Sequence, residues 1–174
     1  MIKPLRKICV IKRKLKIHLS SLAKKIGKER VIWRYDPIIL NDTLDISYHK
    51  EQFNRMCGKL SDYTDTVTIS FVDMYKKLKA LLKLNTNAIR PITDEEVAEL
   101  SSFISKTAKA HGLRVAACCE KMDLSEYGIK KASCIDKNTI QQICGAKLDV
   151  LPDKNQRDGC GCFQSIDIGA YNTC

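Results

Sequence analysis

The sequence predicts an α/β fold built on a parallel sheet with flanking helices, followed by a cysteine-rich C-terminal loop region. Three observations carry this. Short β-branched runs alternate with segments of helical periodicity. The strand-like runs read as apolar on both faces, as strands of a buried parallel sheet do. After residue 117 apolar periodicity fades, and seven of the nine cysteines follow.

Taken in order, residues 20–26 form a short helical stretch stopped by Gly27. RVIWRYDP, residues 30–37, is the first strand, rich in strand formers at Val31, Ile32 and Trp33, with Pro37 ending it. Residues 46–60 are an amphipathic helix, with Phe53, Met56, Cys57 and Leu60 on one face. TVTISFV, residues 66–72, is the second strand, and residues 74–84 are helical. Thr93 with Glu96 three residues on is a capping box, opening a helix that runs to about Ala110 and closes at His111-Gly112. Residues 113–117 are the third strand, and residues 136–145 hold one short helix. Three strands are too few to close a barrel, which needs about eight. The segment is therefore either a small open sheet or part of a barrel.

Composition narrows the function classes. The chain has 174 residues, is 44% hydrophobic and carries a net charge of +10. Seven basic residues and no acidic ones lie in residues 1–18, so the excess is concentrated there. Such a run leaves nucleic acid open as a partner through phosphate attraction, although a bare charge run is more often a solvated end. No stretch approaches the roughly 20 apolar residues of a spanning helix, which points to no membrane and a cytoplasmic protein. No Ser/His/Asp order, G-x-G-x-x-G or Walker loop supports a hydrolase or nucleotide fold. His49 and His111 read as helix-surface positions, and the three histidines lie far in sequence from the cysteine cluster.

Parallel α/β sheets bind ligands beyond the carboxyl ends of their strands. The first strand ends Arg34-Tyr35-Asp36, the second reaches Asp73, and the third ends Cys118-Cys119-Glu120. Arg34, Asp36, Asp73 and Glu120 are thus expected on one rim, as a ligand- or cofactor-binding set or as a set of salt bridges. An odd number of cysteines without a secretory leader favours metal or redox chemistry over disulfides. Cys160-Gly161-Cys162 can face two thiolates to one metal, and Cys118 and Cys134 complete a set of four. Four thiolates suit either tetrahedral zinc or a four-iron cluster.

Several longer segments carry a resemblance: KKIGKERVIWRYDPIILND (24–42), TISFVDMYKK (68–77), MDLSEYGI (122–129), DKNQRDGCGC (153–162) and SIDIGAYNTC (165–174). They resemble an uncharacterised bacterial cysteine-rich family of unknown function, DNA-repair-photolyase-like and similar to radical SAM iron–sulfur proteins. The resemblance implies a partial TIM-barrel-like sheet, in a chain that looks like a fragment. Residues 1–18 are then an unmatched basic segment, 19–117 a partial α/β domain and 118–174 a metal-binding region. It implies a 4Fe-4S cluster held by Cys118, Cys134, Cys160 and Cys162. Cys9, Cys57, Cys119 and Cys144 fall where the family need not have cysteine. Cys174 matches the first cysteine of a C-x-x-x-C-x-x-C cluster motif. With one of those three cysteines present, the chain alone is expected not to cleave S-adenosylmethionine, and the family's substrate is unknown. A non-catalytic protein with a structural zinc site of four cysteines is the alternative.

Overall fold

A computed structural model describes residues 18–73, 89–156 and 159–166. The basic segment up to residue 17, the helix expected over 74–84, and Cys9 and Cys174 lie outside the described residues. Residues 18–26 are helical (α1) and end at Gly27, whose φ of 88° is ordinary for glycine. The described elements that follow are β1 (Ile32–Ile38), α2 (Ile46–Leu60), β2 (Thr66–Phe71), α3 (Asp94–Ala110), β3 (Arg114–Ala117), β4 (Lys130–Lys131) and α4 (Lys137–Cys144). The four strands form one sheet in the order β1-β2-β3-β4, every pair parallel. The fold is α/β, as the sequence predicts. Sequential parallel strands with helices between them are compatible with the wall of a barrel.

Packing explains the helices. In α2, His49, Phe53, Cys57 and Leu60 recur at helical spacing and are buried. Phe53 is fully buried and stacks on Trp33 of β1 with ring centroids 5.1 Å apart. Helix α3 packs against α2 and β3 through Val97, Leu100, Ile104 and Ala108. Its capping box is formed: the Thr93 hydroxyl accepts from the Glu96 N–H at 3.3 Å, and the Glu96 carboxylate accepts from the Thr93 N–H at 3.0 Å. Arg90 grips the same carboxylate at 2.6 and 2.8 Å.

Three expectations are corrected. The sheet is apolar on one face only. Trp33, Val67 and Val115 share a register row and are buried, as are Ile69 and Ala117 in a second row behind half-buried Tyr35. The row between, Arg34-Thr68-Ala116-Lys130, points the other way and is small or polar. Pro37 does not end β1; the strand continues to Ile38 through a register shift between Tyr35 and Ile38, because proline has no N–H to give the ladder. His49 is not a surface residue. It is 6% exposed because it lies on the core stripe of α2, where one ring nitrogen meets the Tyr35 hydroxyl and the other the Ile39 carbonyl, each at 2.8 Å.

Two measurements test this packing. Phe53→Ala is expected to destabilise the chain by about 3–5 kcal/mol, the range for emptying a buried aromatic site. Denaturant titration followed by fluorescence of Trp33, the sole tryptophan, would report it. The second concerns acid. Arg90 and then the Thr93 N–H hold the Glu96 carboxyl down at about 2, from an ordinary 4.5. The stabilisation is complete above about pH 4.5 and drains as pH falls toward 2. Glu96→Gln should therefore flatten the loss of stability across that window, measured by melts at stepped pH.

Candidate metal centre

Because all four strands are parallel, their carboxyl ends share one edge, and the cysteine-rich chain is built onto it. The ladder outlasts β3: the Cys118 N–H donates to the Ile69 carbonyl at 2.9 Å. Beyond β4, the Ala132 N–H donates to the Ala117 carbonyl at 2.7 Å. The next segment joins through Ser133, whose hydroxyl donates to the Gly161 carbonyl at 2.7 Å, and through the Phe163 N–H to the Ile135 carbonyl at 3.1 Å. A last layer follows, with the Asp153 N–H on the Cys162 carbonyl at 3.0 Å. Backbone hydrogen bonds thus order a region too poor in apolar residues to order itself by burial. Gly161 is needed for this approach: a Cβ there would stand 2.8 Å from the Ser133 hydroxyl.

These layers gather five thiols. The Cys118 sulfur lies 3.9 Å from that of Cys119 and 3.9 Å from that of Cys134. Cys162 takes the Ile135 N–H on its sulfur at 3.5 Å, and Cys160 precedes Gly161, whose carbonyl the Ser133 hydroxyl holds. The thiols make an open ring: 118 in contact with 119 and with 134, and 160 and 162 on the segment bonded beside 133–135. Of the four cysteines expected from the sequence, Cys118 and Cys134 are in contact, with Cys119 against Cys118, and Cys162 lies on the segment bonded to Ile135. Cys118 and Cys162 are buried, Cys119 and Cys160 half-buried, and Cys134 exposed. Cys144, exposed at the end of α4, and Cys57, in the core under α2, have no part in it. All seven described cysteines are free thiols.

Cys119 owes its place to backbone geometry. Neighbouring side chains of an extended strand point to opposite faces. Cys119 has φ 55°, the left-handed conformation, uncommon for a residue other than glycine, so its thiol turns to the same side as that of Cys118. Holding a side chain there costs about 1–2 kcal/mol. Sequence reasoning passed over Cys119 because a vicinal pair at a strand end gives no sign of that turn.

The surrounding charges are unequal. Burial, then the neighbouring Cys134 and Cys119, push the Cys118 thiol up to about 11. Cys160 rises to about 11, chiefly by desolvation. At Cys162 burial works the same way but is outweighed: the Ile135 N–H, Cys160 and Cys134 hydrogen-bond to its sulfur and lower it. Arg34 donates to the Cys134 sulfur at 3.2 Å and to the Asp36 carboxylate at 3.0 and 2.5 Å. Arg34 and Cys118 both alternate away from the helix-covered face, which places the ring on the small, polar side of the sheet.

The expected rim residues divide. Arg34 and Asp36 form one ion pair beside the ring. Glu120 accepts from the Phe71 N–H at 2.8 Å, closing the end of β2, and Asp73 lies 3.5 Å from the Lys121 ammonium.

Soft thiolate donors suit zinc and iron–sulfur centres, so the donor set fits a metal centre in its chemistry. As they stand, no group of three or more His, Cys, Asp or Glu side chains among the described residues is arranged to hold a metal ion. The thiols hydrogen-bond to one another, and ligation would require them to turn from their neighbours toward a shared centre. With the chain reduced and metal-free, alkylation followed by mass spectrometry should label Cys134 and Cys144 first. Cys118 and Cys57, held at about 11 and about 12 by burial, should label last. Early labelling of either would contradict the placement described.

Among the described residues no helix is long and apolar enough to cross a membrane. No curated protein and no solved structure matches the chain. A family model described as a domain of unknown function, DUF1848, matches residues 6–174, including most of the basic segment. With nearly the whole chain matched, the protein belongs to the DUF1848 family.

Proposed function

We propose that this chain binds an iron–sulfur cluster through the thiol ring at the carboxyl edge of its sheet. One observation carries the reading: Cys118, Cys119 and Cys134 stand in contact with a guanidinium against one of them, and the stretch 160–162 is bonded alongside through Ser133 and Ile135. Cys118, Cys134, Cys160 and Cys162 would hold the cluster, in keeping with the resemblance to radical SAM iron–sulfur proteins. A cluster so bound, with a cysteine on each of its four irons, would supply electron transfer. The chain's own contribution is positional. Arg34, steered by Asp36, offsets thiolate charge and fixes the Cys134 sulfur. Asp73 and Glu120 lie at the same carboxyl edge, tied to Lys121 and to the Phe71 N–H.

A structural zinc site is the second reading, favoured by the sulfur spacing. Zinc–sulfur bonds of about 2.3 Å give a tetrahedron with edges of about 3.8 Å. The two measured separations of 3.9 Å fall close to it. Against it, no three donors among the described residues are arranged to hold an ion. Anaerobic purification with iron, sulfide and zinc analysis decides. The expected result is a brown protein with about four irons and four sulfides per chain. A colourless protein with one zinc would replace this reading by the second, and a protein with neither metal would end both.

A further inference from the structure

We propose that Cys134 and Cys118 form a thiol–disulfide pair, in which Cys134 takes up oxidation from a small-molecule disulfide and Cys118 closes the bond. The pair needs only the two sulfurs and does not rest on the metal reading.

Both backbones are anchored and their sulfurs are close. The Cys118 N–H is held on the Ile69 carbonyl at 2.9 Å. Cys134 sits between Ser133, whose hydroxyl donates to the Gly161 carbonyl, and Ile135, whose carbonyl accepts from the Phe163 N–H. From these fixed positions the two sulfurs lie 3.9 Å apart. A disulfide bond of about 2.0 Å asks each sulfur to move about 1 Å, within the reach of side-chain rotation. Cys119 lies as near to Cys118, at 3.9 Å, but is a poor partner. Consecutive α-carbons stand about 3.8 Å apart across a trans peptide, whereas disulfides span about 4.4–6.8 Å. A bond between 118 and 119 would add strain at a residue already in the left-handed conformation.

Exposure sets the order of events. Cys134 is exposed and Cys118 is buried. A small disulfide therefore meets Cys134 first, whose sulfur the Arg34 guanidinium holds at 3.2 Å in the same position that faces Cys118. The Cys134 sulfur attacks one sulfur of the small disulfide and releases the other half as a thiol, leaving a mixed disulfide. The Cys118 sulfur then attacks that of Cys134 and expels the second half. Cys118 and Cys134 together lose two electrons and two protons. The small disulfide gains both and leaves as two thiols. The second attack is intramolecular, so proximity offsets the burial of Cys118. Where the metal reading also holds, the disulfide withdraws two of its ligands.

The full chain, reduced and freed of metal by a chelator, would be incubated with oxidised glutathione, quenched in denaturant with an alkylating reagent, and mapped by mass spectrometry. A linkage between 118 and 134 is expected in the wild type and in Cys119→Ser. In Cys134→Ser, disulfide at Cys118 should fall about tenfold or more. Cys134 is exposed, so that variant leaves the core alone. Cys118→Ser should stop at the mixed disulfide, raising glutathione on Cys134 about tenfold. A wild type that stops at the mixed disulfide would overturn the proposal. So would a linkage between 118 and 119, or a Cys118 oxidised as fully in Cys134→Ser as in the wild type. Because the chain is tested without metal, failure of the pair leaves the metal reading standing, and a chain that never binds metal leaves the pair standing.

Discussion

The site depends on a single constraint: every strand of the sheet is parallel, so every strand ends on the same edge. The Cys118 N–H, held on the Ile69 carbonyl, extends that ladder into the cysteine-rich chain. The Ala132 N–H on the Ala117 carbonyl then carries it across. Residues 16 apart in sequence, Cys118 and Cys134, become neighbours because β3 and β4 are neighbours. Cys160 and Cys162 join through further main-chain bonds. None of these steps needs apolar burial, and little is available: the exposed large apolar residues of this half include Ile143, Leu151 and Ile166.

Much of the architecture was legible because its signals are local. Residues 46–60 carry a helical stripe and form α2 with those bounds. Thr93 and Glu96 spell out a helix start, and the capping box is in place. Asp136 and Gly145 bracket α4 as N-cap and left-handed C-cap. β4 was missed because it is two exposed lysines, too short and polar to show strand periodicity. The polar second face of the sheet was missed for a related reason. Arg34, Thr68 and Ala116 align only once the register is known, and in sequence they sit inside runs that read as apolar.

The candidate site shows the same division. Clustering in sequence pointed to Cys118, Cys134, Cys160 and Cys162; Cys118 meets Cys134, and the 160–162 segment is bonded alongside through Ser133 and Ile135. Cys119 depends on one dihedral angle, which no residue pattern announces. The rim was legible as a place but not as a set. Arg34 and Asp36 pair beside the thiols, whereas Glu120 serves the end of β2 and Asp73 faces Lys121. Arg34 reaches Cys134 although their strands are three spacings apart, about 14 Å across a flat sheet. The contact is made over the polar face, where the chain beyond β4 comes in toward β1.

X-ray absorption at the metal edge of the protein purified without oxygen tests the central claim, that the thiol ring is a metal centre, most directly. The account predicts a first shell of sulfur alone at about 2.3 Å. An iron–iron shell behind it would mark a cluster, and its absence zinc. A first shell of nitrogen and oxygen, or no bound metal, would contradict the account.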